Sequence, residues 1–151
     1  MIQIDKIDET IDRISKLTAD TQPAFGSLTP QQMVEHLVTT IKMTNGKRHI
    51  EQRTTKEEGE AWKAKMIYTD MEFPMGLKTP LIPDGAPVYE HADISTAVEA
   101  LKSELNDLET YFKDNPDATP THPRLGMLNH KEWLIFHGKH FTHHFKQFGL
   151  I

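Results

Sequence analysis

The chain has 151 residues, of which 37% are hydrophobic and 26% are charged, and it contains no cysteine. This composition is typical of a globular protein, and the length predicts a single domain over residues 1–151. A formal net charge of -5 leaves no basic excess, so nucleic acid is not expected as a partner. The absence of cysteine excludes disulfides and thiolate ligands and fits a reducing cytoplasm.

Nothing in the sequence predicts attachment to a membrane. The N-terminal stretch MIQIDKIDETIDRI is too charged for a signal peptide. No segment approaches the ~18 consecutive apolar residues of a membrane-spanning helix. We therefore expect a soluble, cytoplasmic protein.

The first third of the chain predicts two helices. In residues 4–18 apolar side chains recur at helical spacing, with charged residues between them, which indicates an amphipathic helix. Thr29, Pro30 and Gln32 suit an N-cap, a first helical position and a capping box, so a second helix should begin there. It should end near Asn45, because Asn-Gly is a favourable C-terminal pair.

The rest of the chain predicts three more helices and two Pro-rich connections. Residues 54–70 predict a more polar third helix, and residues 93–114 predict a strongly amphipathic fourth helix. Between them lies the connection FPMGLKTPLIPDGAP, residues 73–87. A second connection leads to Asn129, which can cap the final helix with Glu132 at the capping-box position. No alternating pattern predicts a strand, so the predicted fold is all-α: a four-helix bundle with one additional short helix.

The final helix carries a group of histidines. The stretch HGKHFTHHFKQFGLI contains His137, His140, His143 and His144. All but His143 occupy helical positions that hydrophobic residues would otherwise take on the inward face. Residues four apart on a helix differ by about 40° in direction and about 6 Å in height, so two imidazoles at that spacing can bind one ion. This favours His140 with His144, although His137 with His140 forms a second pair.

A catalytic metal site normally has three protein ligands and an open position, so the helical pair needs a third residue. The best candidate is His36, which lies near the inward face of the second helix. Its neighbour Glu35 could instead face solvent. An all-histidine site would suit zinc, nickel, iron or manganese. Weaker candidates lie in turns, in loops or at a helix start: His49, His91, His122 and His130.

A metal-free interpretation competes with this one. A single histidine on an apolar helix face is more often a hydrogen-bonded core residue than a ligand. Two at a spacing of four both need partners, which a metal would supply. A surface cluster is disfavoured, because the phenylalanines between the histidines would also be exposed. The residues alone leave a metal site and a buried polar network both open.

Three motifs resemble the DinB/YfiT-like superfamily of four-helix-bundle metalloproteins. The final helix, WLIFHGKHFTHHFKQFG, is similar to the ending W-x6-H-x2-HH-x2-QFG of one branch. The preceding HPRLGMLNHKEW resembles that branch's approach, HP-x-x-G-x-L-x-x-x-x-W. GSLTPQQMVEHL resembles the segment G-x-L-x-x-x-Q-M-x-x-H-L, which delivers the first metal-ligating histidine. The motifs bracket most of the chain, whereas the middle third matches only loosely.

The resemblance implies a divalent metal, often nickel or zinc, held by His36, His140 and His144. Iron and manganese are alternatives. His143 takes the place of the motif's non-ligand histidine. Gln147 takes the place of its glutamine, which would hydrogen-bond a ligand histidine.

Characterised members of the superfamily include metal-dependent transferases and isomerases that use low-molecular-weight thiols. The resemblance therefore implies a metal-dependent enzyme whose partner is a small-molecule substrate, either a thiol S-transferase or a small-molecule hydrolase. The alternative is a non-catalytic, metal-binding protein with a stress-linked binding or sensing role, and a homodimer fits either. The general base is unassigned, with Glu35, His137 and His143 as candidates. Many relatives have Arg-Gly where this chain has Phe-Lys at residues 145–146, which puts any substrate contact of that arginine in doubt.

Apolar side chains in and after the connection of residues 73–87 could line a substrate entrance: Phe73, Met75, Leu77 and Tyr89. Simple anchoring of a long loop is the plainer interpretation. Trp62 and Trp133 are expected to be core residues.

Overall fold

The computed structural model describes residues 1–75 and 87–151. Its elements in chain order are α1 (Ile7–Ile14), α2 (Pro30–Lys42), α3 (Lys56–Ile67), α4 (Ile94–Asp114), β1 (Thr121–His122), β2 (Gly126–Met127) and α5 (His130–Gln147). Four longer helices preceded by a short one confirm the all-α class. Among the described helices, none has the length and apolar character of a membrane span. A single domain over residues 1–151 stays a prediction.

The helix starts predicted at Thr29 and Asn129 are confirmed. The Thr29 side chain accepts a hydrogen bond from the backbone N–H of Gln32, and the Gln32 side chain accepts one from the N–H of Thr29. Asn129 and Glu132 form the same capping box at the start of α5. These caps satisfy backbone N–H groups that have no partner within the first helical turn.

The core lies between α2, α4 and α5. Leu37 and Ile41 of α2 and Leu101 of α4 are fully buried in one cluster, and Phe141 and Phe145 join it from α5. Burying a side chain of this kind stabilises the fold by about 1.5–3 kcal/mol relative to exposure. These apolar positions determine which face of α5 points inward. His137, His140 and His144 lie on that face and are buried with it.

The segment before α1 lies along α5. The helix α1 is shorter than the predicted residues 4–18. Ile4 precedes it and is nevertheless buried. The backbone N–H of Ile2 donates to Thr142 Oγ1 at 2.7 Å. Gly138 permits this approach, because a Cβ there would lie 2.7 Å from the carbonyl oxygen of Ile2.

A short hairpin precedes α5, so the expectation of no strand was wrong. The two strands pair antiparallel, with Thr121 opposite Met127. The Nδ1 atom of His122 accepts hydrogen bonds from the N–H groups of Arg124 and Leu125 at 3.0 and 3.1 Å. Strands of two residues are too short to show an alternating pattern, and this side-chain contact in the turn is what fixes them.

Candidate metal centre

Three histidines from two helices meet inside the bundle. The Nε2 atom of His36, on α2, lies 3.0 Å from Nε2 of His140, which lies 3.1 Å from Nε2 of His144. One nitrogen from each residue lies within 4.8 Å of the other two, and all three side chains are buried. The structure thus brings together the three residues that the sequence predicts as ligands.

Burial makes these imidazoles weak bases. It lowers the pKa of His36 to about 3 and that of His144 to about 4, and it lowers the pKa of His140 well below 6.5. Neighbouring imidazoles lower these pKa values further, since two like charges would repel. All three residues are therefore neutral at pH 7, and each has one nitrogen lone pair.

Gln147 determines which nitrogen of His144 carries the proton. Its Oε1 lies 2.8 Å from His144 Nδ1, and its Nε2 donates to the carbonyl oxygen of Phe25 at 3.0 Å. Because Oε1 can only accept, the proton of His144 lies on Nδ1 and the lone pair of Nε2 points towards the other histidines. The predicted role of Gln147 is consistent with this geometry.

The loop before α2 closes over Gln147. The N–H of Ala24 donates to the carbonyl oxygen of Gln147 at 2.7 Å. Gly26 has a φ of +74°, and a Cβ there would lie 2.9 Å from the Gln147 side-chain nitrogen. A glycine at this position therefore satisfies both a left-handed backbone and a close approach. It is the first residue of the motif GSLTPQQMVEHL.

The donor set fits a divalent metal. Two neighbouring nitrogens on a tetrahedral zinc, with bonds of about 2.0 Å, lie roughly 3.3 Å apart. The two shortest Nε2 separations, 3.0 and 3.1 Å, are close to that value. Nδ1 of His36 and Nδ1 of His140 are buried and have no hydrogen-bond partner among the described residues. A proton on Nε2 of His140 could bridge to only one of its two neighbours, whereas a cation could accept all three lone pairs.

Within residues 1–75 and 87–151, this group contains no carboxylate and no fourth histidine. Catalytic zinc sites have three protein ligands and an open position, whereas structural sites have four protein ligands. The described residues therefore supply three protein ligands, the number found in a site with an open position.

His137 lies in the core, apart from the three histidines. Its Nε2 pairs with Thr44 Oγ1 at 2.8 Å, and its ring stacks on that of Trp133 at 5.1 Å. Burial lowers its pKa to about 3. The side chain is completely buried, so nothing places it in contact with a substrate. The pairing of His137 with His140 that the spacing left open is not what the structure shows.

His143 lies at the outer edge of the site. Its ring is 4.9 Å from that of His144, 5.3 Å from that of Phe25 and 6.1 Å from that of Phe73. It is half-buried, and burial lowers its pKa, while a hydrogen bond to the backbone of Phe73 opposes that change. It is the candidate base that is both next to the three histidines and partly open to solvent.

Glu35 is buried, so its interpretation as a solvent-facing residue was wrong. Its carboxylate accepts the backbone N–H of Glu90 at 2.6 Å and lies 3.4 Å from Nδ1 of His91. The Gln31 side chain also approaches it at 3.4 Å. These contacts pin the chain just after the connection to α2, because a buried carboxylate needs such donors. They occupy the carboxylate away from the three histidines.

Phe73 covers one of the three histidines. Its ring stacks on that of His140 at 5.3 Å, with 24° between the planes, and it packs against Phe136 at 5.4 Å. Of the other residues considered for a substrate entrance, Met75 is 72% exposed, and the Tyr89 hydroxyl pairs with Thr29 at 2.9 Å. Leu77 lies outside the described residues. Of the three that the structure describes, Phe73 is the one whose ring contacts a site histidine.

The other aromatic and histidine predictions divide between core and surface. Trp133 is fully buried, as expected, whereas Trp62 is partly exposed beneath the guanidinium of Arg124. None of the weaker histidine candidates joins the group of three. Two surface cavities, of about 130 and 270 Å³, lie beside α1 and beside Trp62, and no site histidine lines either one.

The protein is therefore a helical bundle with three converging, neutral histidines, and such a site is suited to a divalent metal. The family model of the DinB superfamily matches residues 3–148, and the chain belongs to this family. No curated protein and no solved structure matches the chain.

Proposed function

We propose that the protein is a metal-dependent enzyme, either a low-molecular-weight-thiol S-transferase or a small-molecule hydrolase. His36, His140 and His144 would hold a divalent metal, with nickel or zinc as the first choice and iron or manganese as alternatives. The observation that supports this most directly is the convergence of three neutral imidazole nitrogens with no fourth protein ligand among the described residues.

A bound metal with an open position would lower the pKa of a water or thiol and so supply a nucleophile at neutral pH. The chain's own residues prepare that position. Gln147 holds His144 in the tautomer that presents Nε2 inward. Phe73 and the core around the histidines exclude water from the ligand rings, which strengthens electrostatic interactions there.

The general base is still a proposal, and the contacts rank its candidates. Glu35 is engaged by residues 90 and 91, and His137 is engaged by Thr44. His143 is the remaining candidate, since it borders the site and is partly exposed. At the positions where many relatives have Arg-Gly, Phe145 is fully buried and Lys146 pairs with Glu72 at 2.8 Å.

A second candidate is a non-catalytic metal-binding protein with a stress-linked binding or sensing role. The cover that Phe73 forms over His140 favours it, because a substrate must reach the metal in an enzyme. A homodimer is compatible with both candidates. In either case we propose a cytoplasmic, single-domain protein that binds neither membrane nor nucleic acid.

Metal content and cobalt spectroscopy test the proposal. Purified protein should contain about one transition metal per chain, which is removed by His140→Ala and retained by His137→Phe. With cobalt bound, addition of glutathione, bacillithiol or mycothiol should shift the visible spectrum of an S-transferase. A spectrum that no thiol changes, with no hydrolysis in an ester screen, would favour the non-catalytic alternative. Absence of metal uptake by the parent protein would exclude both.

A further inference from the structure

Lys139 binds the chain that leads from α3 to Phe73. Its ammonium donates to the carbonyl oxygens of Met66 at 2.7 Å, Thr69 at 2.6 Å and Met71 at 2.9 Å. An ammonium has three donors, so these three carbonyls use its full capacity. They belong to the last turn of α3 and the residues after it, where helix carbonyls lack partners and favour a cation.

Two further residues of α5 hold the same segment. The ring of His143 lies 6.1 Å from that of Phe73, and Lys146 pairs with Glu72 at 2.8 Å. Lys139, His143 and Lys146 are spaced by four and three residues, so they form one stripe along α5. The pair of Lys146 is solvent-exposed and contributes little, whereas Lys139 is partly buried with all donors used.

The stripe places Phe73 against the site. Lys139 directly precedes His140, and the segment it binds ends with the ring that stacks on the His140 imidazole. Ring contacts of this kind are individually weak, so they need a fixed backbone to persist. Residues 69–73 lie in neither a helix nor a strand, so their backbone depends on side-chain contacts, of which Lys139 makes the most.

We propose that Lys139 is a positioning residue for the metal centre: it holds Phe73 against His140 and thereby slows exchange of the bound metal with solvent. This inference rests on the metal site proposed above. Lys139 makes no contact with the three nitrogens and acts through residues 69–73. Residues that support a metal ligand from outside typically change affinity by about 10–100-fold when removed.

The sign of the effect separates this role from simple electrostatics. Removing a cation beside a divalent metal weakens the repulsion between them, which would slow metal release. Losing the cover over His140 would admit water and chelator, which would speed release. Lys139→Met removes the three donors while retaining an apolar stem of similar length, so the two effects predict opposite changes.

The experiment measures release of cobalt(II) from the full chain into excess EDTA, followed by visible absorption. Lys139→Met should release cobalt about tenfold faster than the parent protein, and Lys139→Arg, which keeps charge and donors, should stay close to the parent rate. Lys131→Met, an exposed lysine of the same helix, is the matched control and should change nothing. Phe73→Leu should speed release as Lys139→Met does, and the double variant should add no further increase.

The outcomes separate this inference from the proposed function. A parent protein that binds no cobalt overturns both. A parent that binds cobalt, with a folded Lys139→Met variant that releases it at the parent rate or more slowly, overturns only the role of Lys139. If circular dichroism shows that Lys139→Met does not fold, Phe73→Leu decides: release at the parent rate overturns the inference.

Discussion

Neighbouring turns of α5 give their buried histidines two different kinds of partner. Near the middle of the helix, His137 pairs with the Thr44 hydroxyl and stacks on Trp133. In the next turns, Nε2 of His140 and Nε2 of His144 point at each other and at His36. Both groups are buried and neutral, so burial and depressed pKa do not distinguish a core histidine from a ligand. The difference lies in what each Nε2 faces: a hydroxyl that can donate or accept, or two further imidazoles.

The largest effect is expected from His140→Ala, which removes the central nitrogen of the three. The affinity for zinc should fall by about a thousandfold. The binding free energy of such a site is about 10–16 kcal/mol, so each ligand contributes several kcal/mol. Isothermal titration with zinc measures this loss. An affinity within tenfold of the parent value would contradict a role for His140 as a ligand.

His137→Ala should destabilise the protein but leave its metal content unchanged. It leaves the Thr44 hydroxyl buried without its partner and opens a cavity beside Trp133, so the free energy of unfolding of the metal-free protein should fall by about 2–3 kcal/mol. Its metal content should equal that of the parent. Urea unfolding and metal analysis of the same preparation check both parts, and loss of metal from a folded variant would place His137 in the site.

Gln147→Met should weaken the site without removing a ligand. His144 then loses the acceptor that keeps its proton on Nδ1, and zinc affinity should fall by about tenfold. Gln147→Glu retains an acceptor oxygen and serves as the control that should keep tighter binding. Equal affinities for the two variants would mean that the contact does not orient His144.

The smallest effect concerns His122, a histidine of the short hairpin that is not part of the group of three. Burial lowers its pKa to about 3, against 6.5 in the unfolded chain. Between these values the unfolded state binds more protons, so the free energy of unfolding falls as the pH drops below 6.5, by at most about 1.4 kcal/mol per pH unit for one proton.

His122→Asn tests this pH dependence, since its oxygen can still accept from the N–H groups of Arg124 and Leu125. Its free energy of unfolding should fall less steeply than that of the parent between pH 6.5 and 5, as measured in urea. Identical slopes would show that His122 does not supply this part of the acid sensitivity.

Local patterns predicted the helix starts and the histidine pair of α5 because both depend on short spacings. The capping boxes at Thr29 and Asn129 and the His140–His144 spacing each lie within a few residues. Helix geometry favours His140 with His144, and the choice of His36 needed a judgement about which face of α2 points inward, to which the family resemblance added support.

Contacts between distant segments could not be predicted in the same way. Glu35 meets residues 55 positions away, and Lys139 meets residues about 70 positions away. Their partners are backbone groups, which every residue has, so no residue type in the sequence marks the contact. The hairpin at Thr121–Met127 was missed for a related reason, since a ring nitrogen in its turn replaces a recognisable strand pattern.

The order of the three proposed ligands along the chain has a consequence for biosynthesis. His36 is made early, whereas the two other nitrogens come from α5, with 104 positions between His36 and His140. A growing chain that has not yet produced α5 carries only one of the three proposed ligands, His36, and a single imidazole binds a divalent ion weakly. We therefore expect metal acquisition to follow synthesis of the last helix, so that the nascent protein competes little for the cell's metal ions while it is still on the ribosome.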